Sequence, residues 1–383
     1  MKSSAIACAA ACAVGLLALG GTGAAAQDFP SSAGNLAVET IAHGLDHPWA
    51  LAFLPDGRML VTERPGRMHI VARDGKLSPP LAGVPKVFAV GQGGLLDVVL
   101  DRNYARNQTI YFCYAEPVNG GARTAMARAR LIDEGAPRLD DVEVIFRQEG
   151  PLSGGGHFGC RIVQTADGNL FLALGEHQKS STRGEAQNLA NHLGKIIRIR
   201  PDGSVPPDNP FAGKAPAKPE IWSYGHRNPQ GAALHPLTGK LWEIEHGPRG
   251  GDEVNIPLAG RNYGWPVIGY GIEYSGAKLH ETSHKAGMEQ PVWYWVPSIA
   301  PSGLAFSSGD LFPTWRNNLF VGALAGQLLA RLELDGEKVV KEERLLHALN
   351  ERIRDVRAGP DGALWLLTDS SNGRILRVAP AKK

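Results

Sequence analysis

Three things are scarce in this sequence: cysteine, long helical patterns and net charge. The 383 residues include only four cysteines, and the formal net charge at pH 7 is +2. Lysine and arginine do not cluster in a stripe, so nucleic acid is not an expected partner. Apolar residues rarely recur at the spacing of an amphipathic helix, which argues against a mainly helical protein.

Glycine and proline, by contrast, are abundant. There are 47 glycines and 27 prolines, spread along the whole chain. Between them lie short apolar runs bounded by Gly, Pro, Asp and Asn. This pattern predicts many short strands joined by tight turns, and therefore an all-β fold.

Residues 1–26 have the composition of a secretory signal peptide. Lys2 opens the segment, an Ala- and Leu-rich apolar stretch follows, and Ala24-Ala25-Ala26 resembles a cleavage site. We expect cleavage before Gln27, which leaves residues 27–383 as a single catalytic domain, periplasmic or secreted. A retained membrane anchor is the alternative, but the stretch is short and interrupted by glycines, so no membrane span is expected in the mature chain.

The cysteines divide between the signal segment and the mature chain. Cys8 and Cys12 lie in the segment to be removed, which leaves Cys113 and Cys160. In an oxidising compartment these two could form a disulfide, and two buried free thiols are the equal alternative.

One phrase repeats along the chain: a turn with Asp-Gly or a related pair, an apolar strand, then a polar end. Six copies occur at irregular intervals, a spacing that predicts a six-bladed β-propeller with insertions. An irregular pair of β-sandwiches is the less favoured alternative. The copies are 55–63, 107–112, 166–173, 238–244, 317–322 and 360–369.

The glycine-rich stretch Gly154–Gly159 contains His157 and precedes a predicted hairpin. Glu176 follows the far end of that hairpin, so the two side chains should lie close together. A carboxylate beside an imidazole raises its basicity and fixes its tautomer, as a general base requires. A loop histidine that caps a turn is the simpler alternative.

Further polar residues stand where glycine or proline exposes the backbone. Gln92 lies among glycines and either closes a turn or points into the channel. Arg227 and Asn228 would suit a flat ligand that carries carboxylates, unless Arg227 is simply a surface residue in a turn. The acidic stretch from Glu245 to Asn255 offers oxygen ligands for a hard cation, although its spacing is not that of an EF-hand.

The last repeat region contains Arg352 and Arg354. In a strand both side chains would point to the same face and would require an anion. Asp355, on the other face, could serve one neighbouring arginine but not both.

In this order, the motifs resemble those of the soluble pyrroloquinoline-quinone-dependent sugar dehydrogenases, in particular the aldose sugar dehydrogenase branch. The resemblance extends from His47 to the end of the chain, and several specific motifs in the same order make chance unlikely as an explanation. They are 91–97 (GQGGLLD), 157–159 (HFG), 227–231 (RNPQG), 245–248 (EHGP), 262–266 (NYGWP) and 352–355 (RIRD).

The resemblance implies PQQ- and calcium-dependent oxidation of aldose sugars at the anomeric carbon to lactones. It implies an aldose substrate, an external electron acceptor and a monomer or homodimer. His157 matches the general base and Glu176 the acidic residue behind it. The positions that match quinone contacts are Gln92, Arg227, Asn228, Tyr274, Arg352 and Arg354. The calcium positions are Gly247 and Pro248 at the quinone, and Glu253 and Tyr263 at a further site.

Two positions depart from the family pattern. Related enzymes have a quinone-contacting lysine where this chain has Ala325 or Gly326, which predicts weaker quinone binding. The glucose-specific branch has an aspartate before the base, where this chain has Gly156, so a broader or different sugar range is expected.

Two other functions fit a propeller with this acidic, calcium-compatible composition. One is a calcium-dependent hydrolase of the sugar lactonase type, which would not need the paired arginines. The other is a non-catalytic binding propeller of the cell envelope, which would not need a base with a carboxylate behind it. Fold alone does not separate the three.

Overall fold

The strands of this protein form six separate antiparallel sheets, arranged in a ring. The computed structural model describes residues 26–152 and 154–382. The innermost strands of successive sheets pack against one another, and the last packs against the first, which closes the ring. The predicted six-bladed β-propeller is confirmed.

Each sheet begins at the channel with a six-residue inner strand that follows a loop. These strands carry the residues that face the channel at both of its ends. They are β3 (Pro48–Phe53), β6 (Leu95–Leu100), β10 (Gly159–Gln164), β14 (Pro229–Leu234), β18 (Pro301–Phe306) and β22 (Ile353–Ala358).

The six repeated phrases of the sequence all form the second strand of a sheet. Most of these strands are buried along their whole length, because neighbouring sheets cover both of their faces. This explains why the sequence shows apolar runs here and not strict alternation. They are β4 (Met59–Glu63), β7 (Thr109–Val118), β11 (Leu170–Leu174), β15 (Leu241–Glu245), β19 (Leu319–Ala323) and β23 (Leu364–Thr368).

The remaining elements lie towards the outside of the ring. The outer strands are β1 (Gln27–Phe29), β2 (Leu36–Leu45), β5 (Arg67–Val71), β8 (Gly121–Ile132), β9 (Arg138–Arg147), β12 (Lys195–Ile199), β13 (Ile221–Tyr224), β16 (Asp252–Asn255), β17 (Trp293–Trp295), β20 (Leu328–Asp335), β21 (Lys338–Leu345) and β24 (Gly373–Pro380). The helical pieces are α1 (Tyr104–Asn107) and three 3₁₀ turns at Arg183–Gln187, Pro313–Trp315 and His347–Leu349.

The two ends of the described chain meet in one sheet. Strand β2 pairs with β24 from Leu36 opposite Pro380 to Leu45 opposite Gly373. The last sheet therefore has five strands in the order β1-β2-β24-β23-β22, whereas the first has three. Without this pairing, the backbone groups along the outer edge of β24 would have no strand to bond to, and unpaired strand edges favour association with other chains.

The two remaining cysteines form a disulfide between neighbouring sheets. Cys113 on β7 and Cys160 on β10 are bonded, with their Cα atoms 5.8 Å apart. The predicted signal peptide, residues 1–26, lies outside the described residues except for Ala26. In the part of the chain that the structure describes, no helix has the length and apolar character to cross a membrane.

The channel has a cavity at each end. The first, which we call the upper cavity, is lined by the beginnings of inner strands and has a volume of about 170 Å³. The second, the lower cavity, is lined by the ends of inner strands and measures about 570 Å³. The two ends differ sharply in polarity, and the polar residues predicted from the sequence gather at the upper end.

Candidate active site

His157 and Glu176 form a buried pair at the upper end of the channel. The Nδ1 atom of His157 lies 2.7 Å from Oε1 of Glu176, and both side chains are almost completely buried. No hydrogen bond among the described residues uses the other ring nitrogen, Nε2. When Glu176 is ionised, the proton of the neutral imidazole lies on Nδ1, and Nε2 is the atom able to accept a proton.

The pair is held by contacts from two neighbouring sheets. Gln92 accepts a hydrogen bond at Oε1 from the backbone N–H of His157, at 2.8 Å. Thr124 donates to the carbonyl of Phe158 at 2.7 Å. Gly175 allows the close approach of the two strand ends, because a Cβ there would lie 1.9 Å from the carbonyl oxygen of His157. The imidazole is therefore oriented by its surroundings before any ligand binds.

Burial, and not the carboxylate, dominates the acid–base behaviour of this pair. Desolvation, helped by the Arg227 cation, holds the pKa of His157 well below its ordinary value of 6.5. Desolvation also raises the pKa of Glu176 to about 7. The sequence-based expectation that Glu176 raises the basicity of His157 is thus outweighed by burial. The imidazole is neutral at physiological pH, which is the state that a base requires.

The upper cavity carries an excess of positive charge. Its charged lining residues are Arg64, Arg352, Arg354 and Asp369, which is three arginines against one aspartate. Gln92 and Gln230 add amide groups, and Trp49 and Phe158 add flat apolar surface. A cavity with this lining suits a flat ligand that carries several negative charges.

Arg352 and Arg354 share one internal carboxylate. Arg352 reaches Oδ2 of Asp369 at 3.2 Å, and Arg354 reaches the same oxygen at 3.4 Å. Asp355 contacts neither of them, because it lies on the opposite side of the strand and pairs with Arg357 at 2.7 Å. The expectation that Asp355 serves one of the two arginines is wrong. One carboxylate does not neutralise two cations, and Nε of Arg354 has no hydrogen-bonding partner among the described residues.

Arg227 and Asn228 lie between the base and the loop that follows β15. Arg227 donates from Nη1 to the carbonyls of His246 and Gly247, at 3.0 and 2.7 Å. Asn228 accepts at Oδ1 from the backbone N–H of Gly159, at 3.2 Å. Nε of Arg227 and Nδ2 of Asn228 are buried without a hydrogen-bonding partner among the described residues. Unused buried donors of this kind favour an anionic or carbonyl-bearing ligand.

The predicted calcium positions line a small cavity beside Arg227. Gly247, Pro248, Glu253 and Tyr263 all contribute to it. The carbonyl of Gly247 already accepts from Arg227, so a cation there would share this oxygen with the guanidinium. The Tyr263 hydroxyl donates to Ile256 and accepts from Leu258, which leaves its backbone carbonyl as the available ligand.

Three glutamates converge at this cavity, and two of them, Glu245 and Glu253, line it. Asn255 donates to Glu243, Glu245 and Glu253 at 3.0, 3.4 and 3.3 Å. Burial, together with the Glu245 charge, raises the pKa of Glu253 well above its ordinary value. His226 lies 3.1 Å from Glu245, and although burial lowers its pKa, the neighbouring carboxylates raise it to about 9. The cluster offers the oxygen-rich surroundings that calcium requires.

Tyr274 and Ala325 line a wider groove beside the upper cavity. Tyr274 is exposed, and its hydroxyl lies 3.5 Å from Nη2 of Arg227, at the outer limit of a hydrogen bond. Ala325 lines the same groove of about 680 Å³. Its short side chain offers no cation to a ligand at this position.

Several residues of the upper cavity were not predicted from the sequence. Asp369 ends one of the six repeated phrases, which is a signal that could have been used. Arg64 follows a predicted strand, but nothing local distinguishes it from a surface residue, and Gln230 was quoted only within the motif 227–231. His246 was quoted only within a motif, although its backbone carbonyl binds Arg227 and its ring lines the cavity.

Comparisons with known proteins identify the family of this chain. The profile of the Glucose / Sorbosone dehydrogenase family matches residues 45–377. The aldose sugar dehydrogenase YliI of Escherichia coli is 49% identical over 347 residues, which is 90% of this chain and 92% of that protein.

Two solved structures extend the comparison. The apo form of the soluble aldose sugar dehydrogenase of Escherichia coli is 48% identical, with a TM-score of 0.87 over 90% of this chain and 100% of that one. The PQQ-bound aldose sugar dehydrogenase of Streptomyces coelicolor is 29% identical, with a TM-score of 0.74 over 90% of this chain and 98% of that one. The chain therefore belongs to the Glucose / Sorbosone dehydrogenase family and is an oxidoreductase.

Proposed function

We propose that this protein oxidises aldose sugars at the anomeric carbon to lactones, with pyrroloquinoline quinone and calcium as cofactors. The observation that carries the proposal is the excess of arginine over carboxylate in the upper cavity, next to a buried neutral histidine. The PQQ-bound relative from Streptomyces coelicolor supports the choice of cofactor.

Arginine and amide side chains would hold the quinone. Arg352 and Arg354 would bind its carboxylates, because together they exceed the charge of Asp369. The buried donors of Arg227 and Asn228 that lack partners would be satisfied by its remaining oxygens. Gln92 and Tyr274 would contribute at the rim, and Trp49 would pack against the flat ring.

Calcium would occupy two places. The carbonyls of Gly247 and Pro248 would bind one ion beside the quinone. Glu253 and the backbone carbonyl of Tyr263 would bind the second, with the neighbouring Glu245 adding negative charge. The chemistry that calcium supplies is polarisation of a carbonyl.

The proton is handled by His157. Its Nε2 atom would take the proton from the anomeric hydroxyl of the sugar, while Glu176 holds Nδ1 and stabilises the imidazolium that forms. The chemistry that the bound quinone supplies is acceptance of the hydride that leaves the same sugar carbon. Arg227, whose cation acts on His157, would stabilise the negative charge that develops on the acceptor.

We further propose that residues 1–26 are cleaved and that the single domain 27–383 works in the periplasm or outside the cell. The disulfide between Cys113 and Cys160 supports this compartment, because such bonds persist where the surroundings are oxidising. An external electron acceptor would then reoxidise the cofactor.

The test begins with protein purified from a host that lacks the quinone. Dye reduction is measured with a panel of aldoses after addition of quinone, calcium or both, with and without a chelator. We expect reduction only when both are present. Tight quinone binding without reduction of the dye by any aldose would reject the sugar substrate, and absence of quinone binding would reject the cofactor.

A further inference from the structure

Gly156, the residue immediately before the base, has space for a side chain only if the side chain of Gln178 moves away. A Cβ at this position would lie 2.0 Å from Oε1 of Gln178 and 3.1 Å from its Cδ. Gly156 does not have a positive φ, so its backbone would accept other residues. The carboxamide of Gln178 therefore occupies the space that a side chain at position 156, immediately before the base, would take.

Gln178 is brought there by an unusual turn after β11. His177 and Gln178 have φ values of 64° and 62°, two successive left-handed residues that fold the chain back over the glycine-rich loop. The turn is anchored, because Nε2 of His177 lies 2.8 Å from Oε1 of Gln148 and its ring packs edge-on against Phe158. Side chains held in sparsely populated backbone conformations cluster at functional sites.

The amide of Gln178 is available to a ligand. The residue is exposed, and no hydrogen bond among the described residues uses its side chain. A carboxamide both donates and accepts, as a sugar hydroxyl does, so the two are complementary. The amide lies against Gly156, the residue bonded to His157, so a group bound to it would lie against the loop that carries the base.

We infer that Gln178 is a specificity-determining residue whose carboxamide binds the hydroxyl on the carbon next to the oxidised carbon of an aldose. This inference rests on the proposed function. In this chain, which has Gly156 before the base, the polar group presented to the sugar would come from Gln178.

Four proteins test the inference: wild type, Gln178→Ala, Gly156→Ala and the double variant. Each is loaded with quinone and calcium and assayed with D-glucose and with 2-deoxy-D-glucose, which lacks the hydroxyl in question. We expect each single change to reduce the preference for glucose by roughly three- to tenfold, mainly through KM. Gly156→Ala acts by displacing the amide, so the double variant should be no worse than Gln178→Ala alone.

Two controls match the substitutions. Gln108→Ala changes an exposed glutamine that also has a positive φ, of 53°, in another sheet. Gly184→Ala adds a methyl group where no heavy atom lies within 4 Å. Both should keep the wild-type preference, and quinone binding, measured by titration, should be the same in all six proteins.

The possible failures are distinguishable. If the wild type oxidises no aldose, the proposed function is wrong and the inference is overturned with it. If the wild type is active but Gln178→Ala keeps the full preference for glucose, only the inference about Gln178 is overturned. Additive effects in the double variant would also overturn it, because they would show that Gly156→Ala does not act through the amide.

Discussion

The two ends of the channel are built on the same six inner strands, yet they treat charge in opposite ways. At the upper end three arginines face one aspartate. Towards the lower end, Arg161 and Arg357 meet Asp97 and Asp355 in a closed group of two cations and two anions. Beyond this group, the lower cavity is lined mainly by apolar side chains.

This difference indicates that the upper end of the channel serves ligand binding and the lower end serves the stability of the fold. A balanced buried group of charges contributes to the fold only while every member is present. An unbalanced group is tolerated because the upper cavity is open to solvent and to a ligand. Trp49 lies between the two groups of charges. Its ring packs against Arg161 of the lower group at 4.4 Å and against Arg354 of the upper group at 5.9 Å. Substitutions at the upper end should therefore change activity, and those at the lower end should change stability.

The largest expected effect is at the upper end. His157→Ala should lower kcat by roughly two to four orders of magnitude, because it removes the proton acceptor. The thermal midpoint and the quinone affinity should remain close to those of the wild type. Dye-reduction kinetics and a thermal melt of the same preparation measure both, with the exposed His43→Ala as control. Full turnover in His157→Ala would show that the base is misassigned.

The second effect is at the lower end. Asp97→Ala leaves Arg161 and Arg357 without one of their two carboxylates, and we expect a loss of about 3–5 kcal/mol in the free energy of unfolding. Urea unfolding of the apoprotein measures it. Asp310→Ala is the matched control, because its exposed pair with Arg316 at 3.8 Å should contribute about 0–1 kcal/mol. Equal losses in the two variants would remove the contrast between the ends.

A third change tests the excess of cations directly. Replacing Arg352 and Arg354 together by Met should weaken quinone binding by roughly ten- to a hundredfold, since two charge-assisted contacts are lost. The free energy of unfolding should fall less than in Asp97→Ala, because Arg64 still lies near Asp369, while Gln230 and the Leu324 carbonyl lose one contact each. Fluorescence titration of the apoprotein with quinone measures the affinity, and Arg344→Met serves as an exposed control. Unchanged quinone affinity and activity in the double variant would reject the proposed cofactor site.

The smallest effect concerns pH. Burial and the Arg227 cation lower the pKa of His157, so the base stays neutral and active until the pH falls well below 6.5. The acid limb of the kcat/KM profile should therefore lie below pH 6.5, and Arg227→Met should move it upwards by removing one cause of the shift. An acid limb at or above 6.5 in the wild type would contradict the dominant effect of burial.

Much of the candidate site could be predicted because its signals are local. Glycines that flank Gln92 and His157, and the alternate spacing of Arg352 and Arg354, are visible along the chain. The proximity of His157 and Glu176 followed from a hairpin, which joins residues near in sequence. The pKa directions could not be predicted in the same way, because they depend on burial by side chains from other sheets.

The sequence by itself determined the number of blades and the types of residue at the channel mouth. Each blade repeats a short strand phrase, and a repeated local pattern is readable without knowledge of long-range contacts. Only the tertiary structure decided which carboxylate meets which arginine, and that Gln178 fills the space at Gly156. Those pairings join residues as distant as Asp97 and Arg357, which closure of the ring alone brings within 2.7 Å.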